Sequence, residues 1–283
     1  MCASHMEITN MSKRNTQSAK TAARERLRAE RERQAKRDKV RRQVVVAASV
    51  VGVLAAAGGI GYAVVQMNKP GYWEGLKDAK VVAPANTTGD KGTTVVIGKD
   101  TAKKTLKVYE DPRCPVCSQF EQSVGTTVKK DIDDGKFKIQ FIGATFIDNH
   151  DNGVGSKNAL SALGAALNVS PEAFLEYKRA LYSAKFHPDE NTDAFKDDSY
   201  LIKAADTVPA LKNNTKFQDA VKKGTYDAWA MAMSKTFDDA AKDGVRGTPS
   251  FVMDGKKLTV GTQGGPPMSP EDFDKVVDAA LKG

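Results

Sequence analysis

At 283 residues the chain is long enough for one large domain or two small ones, and its formal net charge of +8 sits at one end. Residues 1–43 hold 13 Lys and Arg against 5 Asp and Glu, so the remainder is neutral, with 30 residues of each sign. The basic tail leads straight into an uncharged run, which points to a lipid surface and away from nucleic acid as its partner.

Residues 12–42 are rich in Ala, Arg, Glu and Gln and suit a polar helix with no apolar face to bury, a solvated or headgroup-touching tail. The stretch from Met11, MSKRNTQSAK, reads as a natural beginning, which sets Cys2 apart from the chemistry below. From Val44 to Val65 there are 22 residues without a charge. At about 1.5 Å per residue this is enough to cross a hydrocarbon core of roughly 30 Å. A cleaved signal peptide is the competing reading, but such apolar regions run about 7–15 residues and follow a short basic segment. No Cys follows the run to take a lipid. The expectation is a retained single-pass anchor over 44–66. Lys39, Arg41 and Arg42 abut it, so the tail 1–43 is cytoplasmic and the rest extracytoplasmic in a cell of bacterial style. Tyr72 and Trp73 then fall where an interfacial aromatic belt is expected. Residues 67–92, punctuated by Gly, Pro and Asn, read as a linker, and a folded domain is expected over 93–283.

Within that domain Thr94–Ile97 and Thr105–Tyr109 read as strands, followed by Asp111-Pro112-Arg113-Cys114-Pro115-Val116-Cys117 and a helix that stops at Gly135. Lys136–Phe146 alternates polar and apolar residues in its first half, as a half-buried strand does. Strand, helix and strand in this order suggest a βαβ unit with parallel pairing. Between about 156 and 243 come four helical segments, the second capped by Ser170 with Pro171 at its first turn. The stretch GTPSFVMDGKKLTV reads as a hairpin turning at Asp254-Gly255, and a last helix opens at Ser269-Pro270. The fold class is therefore α/β, a βαβ half and a ββα half around a helical insertion.

Cysteine use narrows the chemistry. After the anchor the chain has two, Cys114 and Cys117, too few for a scaffold stapled by disulfides. Cys114 at a helix N-terminus faces unsatisfied N–H groups and the positive end of the dipole, which stabilise a thiolate. Pro115 suits the first helical position, where its missing N–H is harmless. Cys114 is then the nucleophile and Cys117, one turn on, the resolving thiol. Half of a zinc site and an inert disulfide are the alternatives. Zinc takes about four ligands, and beyond the pair the exported part offers only His150 and His187. Both histidines read as polar loop residues, Trp229, Met231 and Met233 as helix core, and no metal or cofactor is expected.

Residues 93–283 resemble the DsbA-like branch of the thioredoxin superfamily. The resemblance rests on the Cys-Pro-Val-Cys pair after a strand, the helical insertion, and Gly247-Thr248-Pro249 before the strand SFVMDG. It implies a thioredoxin-like fold, a cis peptide bond before Pro249 beside the cysteines, and pairing of the Thr248 backbone with an extended substrate. It also implies a protein thiol–disulfide oxidoreductase acting on Cys-containing exported proteins and re-oxidised by a quinone-linked membrane partner. Two positions depart from the pattern. Val116 stands where many DsbA-like oxidants carry His, which implies a less extreme potential. Val108 stands where thioredoxin-like domains often bury an acid, with Glu110 and Asp111 nearby as proton relays and Arg113 as a thiolate-stabilising charge. A reductase or isomerase, or a non-catalytic membrane-tethered metal- or peptide-binding module, are the other functions this sequence admits.

Overall fold

The computed structural model describes residues 4–67, 71–189, 191–240 and 244–283, without the side chains of 4–18, 50, 53–67 and 151. The chain divides into two units, Met1–Lys69 and Pro70–Gly283. In the first unit a single helix, α1, runs over Ser4–Met67. Its described side chains are exposed all round, as expected of a segment with charges on every face. Among the described residues no helix is long and apolar enough to cross a membrane. Most of the expected anchor, 44–66, lies outside the residues whose side chains are described.

The second unit is built on a five-stranded sheet in the order β1-β3-β2-β4-β5. Its strands are β1 (Val95–Ile97), β2 (Thr105–Glu110), β3 (Lys138–Gly143), β4 (Ser250–Met253) and β5 (Lys256–Lys257). β2 and β3 pair in parallel, with Leu106 opposite Ile139, because the helix between them carries the chain back to the same end of the sheet. β4 runs antiparallel to β2. It turns into β5 through Asp254 and Gly255, both at positive φ (50° and 73°), the conformation a two-residue hairpin turn needs.

Alternation along β4 shows how the two sides of the core are filled. Phe251 and Met253 join Leu106, Val108, Phe120 and Phe273 on one face. That face is covered by α3 (Pro115–Asp134) and α10 (Pro270–Lys282). Val252 points the other way and joins the cluster of the helical insertion. The insertion comprises α4 (Asp148–Asp151), α5 (Gly155–Val169), α6 (Pro171–Leu181), α7 (Asp198–Ala205), α8 (Thr215–Lys222) and α9 (Asp227–Asp238). Ser170 caps α6 by accepting from the Ala173 N–H.

The expected linker over 67–92 is instead largely stitched to the domain. It opens with a short helix, α2 (Tyr72–Gly75), and the Tyr72 hydroxyl donates to Asp227 Oδ2 at 2.8 Å. Farther on, the Ala85 N–H donates to Asn168 Oδ1 (3.0 Å) and Asn86 Nδ2 to the Leu167 carbonyl (2.9 Å). Trp229, fully buried, donates its indole N–H to the Gly92 carbonyl at 2.8 Å. A side chain at Gly92 would meet Ala83 Cβ at 2.5 Å, so the residue is glycine where the strap folds against itself. Polar, loop-forming composition disguised a segment whose hydrogen bonds go to α5 and α9.

Candidate active site

β4 delivers the segment before it to the start of α3. Because Tyr109 pairs with Ser250, the residues just outside that register, Thr248 and Pro249, lie beside the loop that leaves β2. The Thr248–Pro249 peptide bond is cis. Cys114 is the N-cap of α3 in an extended conformation, with Pro115 in the first turn. Its own N–H donates to the Asp111 carbonyl (2.9 Å), and its Sγ lies 3.5 Å from the Thr248 carbonyl oxygen. Among the described residues the buried Thr248 hydroxyl oxygen has no hydrogen-bond partner.

The two sulfurs are electrostatically opposed. Both cysteines are free thiols. The Cys114 thiol is pulled down to about 7, first by the hydrogen bond it accepts from Cys117. Burial works against this, while Thr248 and the N–H groups of Cys117 and Val116 help. Burial pushes the Cys117 thiol well above its ordinary value, and the hydrogen bond to Cys114 adds to the effect. Val116, which lies between them in sequence, is 39 % exposed.

Glu110, Asp111 and Arg113, just before the pair in sequence, are all buried. Lys178 of α6 donates to both Glu110 oxygens (3.0 and 3.3 Å) and to Glu121 Oε2 (2.5 Å). Burial raises the Glu110 carboxyl and Lys178 opposes the rise. Burial pulls the Lys178 ammonium down, and the two carboxylates more than reverse this, leaving it above the ordinary lysine value. Asp111 is raised to about 6 by burial, although its carboxylate accepts from Ser156 Oγ and the N–H groups of Arg113 and Ile147. Arg113, expected as a charge on the thiolate, directs its guanidinium to Asp148 (3.1 Å) and Asp193 (3.4 Å). It ties the loop before α3 to the insertion.

Other groups at the site come from the insertion. Tyr182 packs against Cys114, Cys117 and Ile147. Its hydroxyl donates to the Asp111 carbonyl, its own carbonyl accepts from Ser118 Oγ (2.8 Å), and Lys178 Nζ lies 5.2 Å over its ring. His187 stacks on Tyr182 and is held down to about 4 by burial. His150 is exposed on α4, and Trp229 and Met233 are core residues. Among the described residues no group of three or more His, Cys, Asp or Glu could hold a metal ion. Of the additional groups, Glu121 had a sequence signal: it follows Cys117 by four residues and therefore shares its helix face. Lys178 and Tyr182 lie more than fifty residues from the pair, where spacing carries no information.

A family model described as Thioredoxin matches residues 90–279. The chain is 25 % identical over 167 residues to the serine/threonine-protein kinase PknE of Mycobacterium tuberculosis, which covers 58 % of this chain and 29 % of the kinase. It thus spans less than a third of that relative's length. It is 26 % identical over 164 residues to disulfide bond formation protein D of Bacillus subtilis, covering 58 % of this chain and 68 % of that protein. Oxidised DsbA of Mycobacterium tuberculosis shares the fold with a TM-score of 0.53 at 24 % identity, over 67 % of this chain and 93 % of that one.

Proposed function

Since this chain belongs to the thioredoxin family and has the fold of its DsbA-type members, we propose that it is a thiol–disulfide oxidoreductase of exported proteins. Cys114 is the attacking sulfur and Cys117 the resolving one. The observation that carries this is the opposed environment of the pair. Cys114 sits at the start of α3 with its thiol near 7, and Cys117 is fully buried with its thiol held high. In the oxidising direction a substrate thiolate attacks Cys114 of the disulfide form. The bond to Cys117 breaks, and Cys117 leaves as a thiolate that takes up a proton. A second substrate thiol then displaces Cys114, so the substrate is oxidised by two electrons and the pair is reduced. The Thr248 backbone holds the substrate segment alongside as a short added strand.

The domain is tethered outside the cytoplasmic membrane by 44–66, with the basic tail inside. This reading is supported by the uncharged run and the charges before it. The relative named for disulfide bond formation favours oxidation as the direction in the cell, with a quinone-linked membrane protein restoring the disulfide. Equilibration of the full chain with glutathione tests the direction. A potential well above that of thioredoxin, about −270 mV, is expected, and one at or below it would leave a reductase. A Cys114→Ser protein that still oxidises a reduced model substrate would overturn the cysteine assignment.

A further inference from the structure

The strap begins at a cleft that the redox chemistry does not use. Tyr72 and Trp73 of α2 meet edge to face, with ring centroids 5.6 Å apart. A cleft of about 270 Å³ opens beside them, lined also by residues of the α8–α9 junction, among them Lys222, Lys223 and Asp227. Asp227 is 4 % exposed. Its Oδ2 accepts from the Tyr72 hydroxyl at 2.8 Å, and among the described residues its buried Oδ1 has no hydrogen-bond partner. Gly224 leaves room for this contact. It turns at φ 59°, and a Cβ there would collide with Asp227 Oδ2 and lie 3.0 Å from the Tyr72 hydroxyl oxygen. The Tyr72 hydroxyl is pushed up to about 12, first by that hydrogen bond and then by burial, with the charges of Asp227 and Asp198 adding to the effect. The tyrosine thus stands in a negative field, while Lys196, Lys222 and Lys223, all exposed, line the same cleft.

A buried carboxylate oxygen without a donor is costly and calls for an N–H group. A simple anion would meet Asp198 and Asp227, and a simple cation would meet the lysines. A zwitterion with a primary ammonium and a phosphate answers both signs with charge-assisted hydrogen bonds. The chain itself points to the source. Tyr72 comes seven residues after Val65, where the uncharged run ends. A stretch of that length reaches at most about 25 Å. We propose that this cleft binds the phosphoethanolamine headgroup of a phospholipid in the membrane that anchors the chain. The inference rests on the anchor reading of 44–66. The lipid ammonium donates to Asp227 Oδ1, a bond that the N-methylated headgroup of phosphatidylcholine cannot make. The phosphate is held by Lys222 and Lys223. Trp73 then lies at headgroup level, the depth that indole rings prefer. Bound in this way, the domain presents α2 to the bilayer and does not swing freely on its tether.

The chain has two tryptophans and Trp229 is fully buried, so a quencher carried by lipid chains reads Trp73. The full chain is placed in vesicles of phosphatidylcholine with brominated acyl chains. Matching vesicles hold equal parts of that lipid and brominated phosphatidylethanolamine or phosphatidylglycerol. Tryptophan quenching is expected to be strongest with phosphatidylethanolamine and to disappear in Trp73→Phe. Asp227→Asn still accepts from Tyr72 but lacks the charge, and it is expected to lose the excess over phosphatidylcholine. Lys222→Gln combined with Lys223→Gln, at exposed positions that folding does not depend on, is expected to lose it too. Equal quenching in all three vesicles, stronger quenching with phosphatidylglycerol, or an excess that survives these variants would overturn the headgroup site. Release of the wild-type chain from the vesicles by an alkaline wash would overturn the anchor reading itself.

Discussion

The Tyr182 hydroxyl donates to the Asp111 carbonyl across 3.0 Å, so a residue of the insertion fixes the turn that ends at Cys114. The same carbonyl accepts the Cys114 N–H, and it stays satisfied if the tyrosine loses its hydroxyl. Tyr182→Phe is therefore expected to cost about 1 kcal/mol, one buried hydrogen bond, which lowers Tm by roughly 2–4 °C. Thermal unfolding checks it.

Alkylation of the reduced protein should separate the two cysteines by pH. With its thiol near 7, Cys114 is expected to react half-maximally near neutral pH, faster above and slower below. Cys117, buried and raised, is expected to stay unlabelled in the native protein across that range. Mass mapping after a short pulse of iodoacetamide reads both sites.

Asp111 gives stability a pH slope whose sign is fixed. Its carboxyl lies at about 6 in the fold against 3.8 ordinarily. Between those values the folded protein holds a proton that the unfolded chain has released, so stability falls as pH rises through the window. Asp111→Asn is expected to flatten this slope by up to about 3 kcal/mol, two units at about 1.4 each. Urea titrations at several pH values across the window measure it.

Lys178→Met should be among the most damaging single changes in the domain. It leaves Glu110 and Glu121 buried without their shared cation, a loss of about 3–5 kcal/mol. The double variant with Glu110→Gln is expected to recover part of that. Denaturant unfolding of both proteins makes the comparison.

Asn86 sits at φ 64° and donates to the Leu167 carbonyl, so it shapes the strap and also pins it to α5. Asn86→Ala loses both roles and should expose 76–92 to limited proteolysis. Asn86→Gly keeps the backbone conformation and should lie between, short by about 1 kcal/mol of hydrogen bonding.

The strands and the helix after Cys117 were legible because their periods are clean: Phe251, Val252 and Met253 alternate, and α3 is broken by Gly135. α7 was not, since DSYLIKAA makes barely two turns and its burial is decided by partners elsewhere in the insertion. Within the site, Cys114, Cys117 and Pro249 announce themselves by local motifs. The electrostatic frame does not. Arg113 beside Cys114 suggested a charge on sulfur, yet Asp148 and Asp193, distant in sequence, claim it. Buried ion pairs are long-range agreements, and a linear pattern records only one signatory at a time.

The sheet ends in two very short strands, three residues at β1 and two exposed lysines at β5. Short edges, one of them a pair of lysines, resist templating by stray extended chains. For a protein whose proposed clients arrive unfolded and sticky, this is protection against co-aggregation. A passing client finds little outer edge to extend, while Thr248 stands outside the β2–β4 register and beside Cys114.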